Sequence, residues 1–386
     1  MSNNPLQVVS SLGQSIWYDN IQRSMITSGQ LARLISADGV SGVTSNPTIF
    51  DKAISKSADY DAEINEARGK GVAAEALYWD LVIGDIRRAA DLFFPVYQQT
   101  RGRDGYISLE VSPLLARDTA GTVAQARELF ARVAKKNIMI KVPATREGVA
   151  AVRILIAGGM NINVTLIFSV RRYEEVMEAY LSGLEEFFKN NPGRPAPASV
   201  ASFFVSRMDS MVDPLLEEKA GGLSGAEAER ILALRGKAAV ANSKLAYQRF
   251  RAVFGSARFE ALKGQGGALQ RPLWASTSTK NPAYPDVLYV DELIGPDTVN
   301  TVPPATLDAY RDHGKPAVRV TSGVDRARQE LAAIEDLGIS ISEVTSRLEA
   351  QGVDAFAASY RELLKHLEEK LIAQAGCGCS CRKGCA

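Results

Sequence analysis

Lys141 is the residue of this sequence best set for chemistry. It stands in the run Ile-Met-Ile-Lys-Val-Pro, with apolar neighbours on both sides, a setting that reads as a strand. Alternation puts Ile138, Ile140 and Val142 on one face, so Lys141 points inward. Burial disfavours the ammonium form of a lysine. A neutral amine attacks a ketone or aldehyde to form a Schiff base, and the iminium is then the electron sink for carbon–carbon cleavage. That chemistry needs proton carriers and no metal. Glu110, inside Ile-Ser-Leu-Glu-Val, can relay protons through water, and Asp19 can act on a substrate hydroxyl.

These groups belong to a wider pattern. Thr44 and Asn46 share one parity, as do Asn163 and Thr165, and Ser202 and Phe204, with Arg207 just beyond. Parallel strands covered on both faces should be nearly all apolar. A single buried Asp or Asn is more often a satisfied core residue, and a single Lys after apolar residues more often reaches water with its amine. Five or six strands showing polar interiors together imply one shared cavity. An ionised Lys and Glu inside a barrel cost on the order of several kcal/mol each unless paired or used. The residue types therefore fit class I aldolase chemistry best.

The elements that must carry them alternate. Strand candidates fall at Ser15–Asn20, Gly39–Asn46, Tyr106–Ser112, Asn137–Pro143, Asn161–Phe168, Val200–Ser206, Pro272–Ser278 and Thr298–Pro303. Helical signals lie between them, with Ser28, Asp118, Thr145 and Ser169 expected near the starts. Eight strands in alternation predict an α/β fold, a (β/α)8 TIM barrel with additional helices, whose catalytic groups gather at the carboxyl ends of the strands. A doubly wound sheet would need a glycine-rich first turn that is missing. The gaps Asp51–Arg103 and Asp209–Arg271 read as inserted helix pairs. Residues 1–375 are expected to form one barrel domain, and residues 376–386 a cysteine-rich tail.

Composition removes other classes. The 386 residues are 46% hydrophobic and 23% charged, and 45 Lys and Arg against 44 Asp and Glu leave a net charge of +1. That balance offers nothing to nucleic acid or an anionic surface. No apolar run of about 18 residues exists to span a membrane, and the first residues do not read as a secretory signal. A cytoplasmic location is expected by default. Two histidines exclude a three-histidine zinc site. Nucleophile-elbow and nucleotide-loop motifs are missing as well.

Longer motifs extend the reading. Val43-Thr-Ser-Asn-Pro-Thr-Ile-Phe50, Ile107-Ser-Leu-Glu-Val-Ser112, Ile138-Met-Ile-Lys-Val-Pro-Ala144 and Ile162-Asn-Val-Thr-Leu-Ile-Phe-Ser169 resemble transaldolase. Ala201-Ser-Phe-Phe-Val-Ser-Arg-Met-Asp209 and Leu273-Trp-Ala-Ser-Thr-Ser-Thr-Lys-Asn-Pro282 continue the resemblance. The segment from Tyr289 to Pro304 is similar to the longer bacterial subclass. The likeness runs from about Leu6 to the mid-370s, in several motifs that agree in type and order.

The resemblance implies roles. Lys141 would form the Schiff base, and Asp19 would handle the C4 hydroxyl proton. Glu110 and Thr165 would hold the water used in Schiff-base formation. Asn46, Asn163 and Ser202, with Thr44 beside Asn46, would bind the dihydroxyacetone part, and Phe204 would wall it. Arg207 would take the substrate phosphate. Shorter members carry Ser-Phe-Arg after the seventh strand, where this chain has Ser276-Thr-Ser-Thr-Lys280, so Ser276 keeps its place and Lys280 replaces a guanidinium fork with a point charge. The implied reaction moves a dihydroxyacetone unit from sedoheptulose 7-phosphate or fructose 6-phosphate to glyceraldehyde 3-phosphate or erythrose 4-phosphate, without a cofactor. It belongs to the non-oxidative pentose phosphate pathway.

The alternatives are a fructose 6-phosphate aldolase-type lyase that releases free dihydroxyacetone, a retired barrel used for binding, and a pyridoxal phosphate lyase. A retired barrel should have lost Lys141, Asp19 or Glu110, and none is lost. The cofactor reading lacks a glycine-rich phosphate loop. The partners are sugar phosphates, with no nucleic acid and no membrane, and a monomer or a homodimer is equally compatible. Cys377, Cys379, Cys381 and Cys385 hold every thiol of the chain. Their spacing is not the paired pattern of structural zinc; an inert end, a soft-metal site and a redox switch all fit it.

Overall fold

A computed structural model describes residues 4–372; the four cysteines lie outside the described residues. Eight parallel strands close into one barrel in sequence order. They are β1 (Gln14–Tyr18), β2 (Gly42–Thr44), β3 (Tyr106–Glu110), β4 (Ile138–Pro143), β5 (Ile162–Ile167), β6 (Ser199–Phe204), β7 (Arg271–Ala275) and β8 (Thr298–Val302). Every expected strand is present, each shorter than its apolar run. The TIM-barrel fold class is therefore as read from the sequence. The two long gaps hold more than helix pairs: three helices separate β2 from β3, and four separate β6 from β7.

Helix starts follow their caps in three of four cases. Asp118, Thr145 and Ser169 each accept a backbone N–H of the first turn, which satisfies a donor the helix cannot. Ser28 does not cap. It closes the short helix Arg23–Thr27, and Gly29, at φ 76°, makes the left-handed turn into Gln30–Asp38. The chain reverses there between two helices, and glycine reaches that conformation at no steric cost.

One end of the barrel is plugged. Arg271 donates to Ser15 at 2.7 Å and to Asp104 at 3.0 Å, and Asp104 also accepts from the Trp17 indole at 2.9 Å. Buried charges so paired and bonded are tolerated. The polar ends of the strands open at the opposite, carboxyl-terminal face. There the 32-residue helix Ile341–Ile372 lies against helix Pro47–Ser55 and strand β5.

Candidate active site

The carboxyl ends of the strands surround a pocket of about 530 Å³. Lys141 projects into it from β4 and is 4% exposed. Strand register sets its neighbours: Glu110 is opposite on β3 and Asn163 on β5. The ammonium Nζ lies 3.1 Å from Glu110 Oε2 and donates to the carbonyl of Ser45 at 2.8 Å. Burial pushes the Glu110 carboxyl above its ordinary range, Lys141 pulls it back, and Asp19 adds to the rise.

Asp19 follows β1, where its N–H donates to the carbonyl of Val302 at 3.0 Å. Its carboxylate accepts from Thr44 Oγ1 at 2.6 Å, and the Thr44 and Thr301 hydroxyls meet at 2.5 Å. Desolvation raises the Asp19 carboxyl, while the Thr44 bond, Lys141 and Lys280 oppose the rise. A carboxylate bonded on one side and open to a pocket on the other can exchange a proton with a bound hydroxyl.

Asn46 does two things. Its Oδ1 caps helix Pro47–Ser55 by accepting from Ile49 N–H at 3.0 Å, and the same side chain lines the pocket. Thr165 also lines it, with a buried hydroxyl that has no hydrogen-bond partner among the described residues. Just beyond, Leu166 is left-handed at φ 60°, and the β5–β6 register shifts. Ser202 and Phe204 present themselves from β6.

Two sequence-selected residues stand behind the pocket wall. Asn163 is fully buried, accepting from Ser202 Oγ at 2.7 Å and donating to Ser108 Oγ at 3.1 Å. Glu110 lies behind Lys141, and its Oε2 meets the ammonium as an ion pair without an aligned hydrogen bond.

Cations line the same pocket. Arg207 sits in the first turn of helix Ser206–Ala220, with its guanidinium 5.7 Å from the Phe204 ring centre. Ser276 is left-handed at φ 56°, and its hydroxyl is 2.9 Å from that of Ser206. Lys280 donates to Ser278 at 2.5 Å. Desolvation and then the charge of Arg207 lower the Lys280 ammonium, with Asp19 opposing. Burial alone lowers the Arg207 guanidinium, and an anion bound between these two cations would favour the charged form of both.

Lys52, Thr301 and Phe356 also line the pocket, and the motif reading passed over them. Thr301 was visible in principle, because Thr-Val-Asn-Thr-Val is a polar strand. Lys52 lies one and a half turns past the Asn46 cap. Phe356 comes from the C-terminal helix and gives no local signal. Among the described residues, no group of three or more His, Cys, Asp or Glu side chains is arranged to hold a metal.

A closed eight-stranded barrel whose mouth holds a buried lysine, one carboxylate paired to it and another facing the same pocket, defines the class of Schiff-base aldolase-type barrels. Residues 16–367 match the family model described as Transaldolase/Fructose-6-phosphate aldolase, and the chain belongs to that family. It is 48% identical over 371 residues to the protein named Transaldolase of Thermobifida fusca, covering 96% of this chain and 99% of the relative. It is 47% identical to that of Saccharopolyspora erythraea and 44% identical to that of Trichodesmium erythraeum, each covering 96% of this chain and 98% of the relative.

Proposed function

We propose that this chain is a transaldolase, moving a dihydroxyacetone unit between sugar phosphates through a Schiff base on Lys141. The observation that carries the reading is the placement of Lys141: buried beside Glu110 and open to a pocket that Asp19, Arg207 and Lys280 also line.

The Lys141 amine adds to the C2 carbonyl of a ketose phosphate, and water leaves. Glu110 and the Thr165 hydroxyl hold the water that carries protons in this step; the unpartnered Oγ1 of Thr165 supports that role. Asp19 takes the proton of the C4 hydroxyl as the C3–C4 bond breaks. The aldose leaves, and an enamine remains on Lys141. Asn46 and Ser202 bind the retained hydroxyls, with Asn163 fixing Ser202 from behind. Arg207 and Lys280 hold the phosphate of the leaving or incoming aldose. Reversal on a different aldose completes the transfer.

All these groups come from one chain, so a monomer suffices and a homodimer is compatible. Phosphorylated sugars do not cross bilayers unaided, which favours the cytoplasm. No helix among the described residues is long and apolar enough to cross a membrane.

Fructose 6-phosphate and erythrose 4-phosphate test the activity. Sedoheptulose 7-phosphate and glyceraldehyde 3-phosphate should form together, and consumption of fructose 6-phosphate should depend on the acceptor. Release of free dihydroxyacetone at the same rate without acceptor would support the lyase alternative instead.

A further inference from the structure

The enamine left after cleavage has two fates. An aldehyde takes its carbon nucleophile, or a proton from water does. In the second case the iminium re-forms, one water adds to C2, the C–N bond breaks, and free dihydroxyacetone leaves a free Lys141. What separates transfer from release is therefore access of water to the Lys141 adduct.

The barrel alone does not close that access. The helix Ile341–Ile372 supplies a cover, and its seat is specific. A Cβ at Gly352 would lie 3.1 Å from Leu166 Cδ2, so the helix rests directly on the left-handed turn after Thr165. Tyr360 donates to Glu75 at 2.8 Å, and Thr48 donates to Ser359 at 2.9 Å. One turn beyond Gly352, Phe356 turns into the pocket, and among the described residues it is the only side chain of this helix that does. It is 6% exposed, and its ring centre is 6.0 Å from Lys141 Nζ.

Resting on the transaldolase reading above, we propose that Phe356 is a specificity-determining residue, which keeps water from the Lys141 adduct and so commits the three-carbon unit to an aldehyde acceptor. The device comes from outside the barrel, on a helix that also braces helix Pro47–Ser55, where Asn46 and Lys52 lie.

The test compares wild type, Phe356→Leu and Phe356→Ala in two assays. One measures dihydroxyacetone released from fructose 6-phosphate alone, and the other measures transfer to erythrose 4-phosphate. Borohydride trapping of the lysine adduct is followed in parallel. The ratio of release to transfer should rise about tenfold in the alanine variant, the factor that ~1.4 kcal/mol in relative barrier produces, and by less in the leucine variant. If the alanine variant does not trap, the leucine variant decides, because it keeps an apolar side chain under the helix. An unchanged or lower ratio in a variant that still traps overturns the proposal. Failure of wild type to trap counts against the Schiff-base reading and not against Phe356 in particular.

Discussion

Glu110 and Lys141 oppose each other in register on adjacent strands, and their charged ends meet at 3.1 Å with both side chains almost wholly buried. Each lies on a strand whose side chains are all buried, where neither charge would be tolerated alone. The pair permits a charged lysine to rest at the base of the pocket. It also leaves a carboxylate beside the amine to accept a proton when the amine attacks.

Asp19 should serve cleavage. Asp19→Asn is expected to lower turnover by about 10²-fold or more, the scale for losing a general acid or base, while borohydride trapping persists. Burial raises the Asp19 carboxyl and the Thr44 hydroxyl opposes that rise. The group must be ionised to accept the C4 proton, so the acid limb of the turnover profile should lie above that of an ordinary aspartate. Thr44→Val removes the opposing bond and should move that limb to still higher pH. A limb that stays in place would separate Asp19 from the proton transfer.

Arg207 and Lys280 face one pocket from different elements. Alanine at either should raise KM for phosphorylated sugars and leave unphosphorylated fructose little affected, since a phosphate contact is made in the ground and transition states alike. Equal losses on both substrates would remove the phosphate assignment.

The barrel was legible because each strand is a short apolar run broken late by polar residues, and side chains two apart share a face. Lys141, Asp19 and Arg207 could be chosen on that basis. The regular alternation ends just after Thr165, where Leu166 is left-handed and the β5–β6 register shifts. Parity also could not show that Asn163 is bonded to Ser202 and Ser108 behind the wall. Phe356 was invisible for a different reason. On an amphipathic helix an inward phenylalanine looks like any core residue, and only tertiary packing brings it over Lys141.

Asp209 offers a stability test away from the chemistry. Burial pushes its carboxyl up to about 7, although Ala239 N–H and the Tyr289 hydroxyl both donate to it. Between the unfolded value of about 4 and about 7, the native state binds more protons than the unfolded state. Stability is therefore lost as pH rises through that window and is level above it. Asp209→Asn should gain on wild type by about 3–4 kcal/mol between pH 4 and pH 8 in denaturant titrations. A constant difference would show that the site does not titrate there.

Gly148 fixes the helix that follows β4. A Cβ there would lie 1.9 Å from the carbonyl oxygen of Pro143, two residues past Lys141. Gly148→Ala should cost about 1–3 kcal/mol, as overpacking does, measured by urea unfolding. A neutral substitution would mean that this helix is free to shift.

The most direct test of the central claim is borohydride reduction in the presence of fructose 6-phosphate, followed by peptide mapping. The three-carbon adduct should appear on the peptide carrying Lys141 and on no other, and Lys141→Ala should retain the fold and take no label. Label on a different lysine, or turnover with none trapped, would contradict the account.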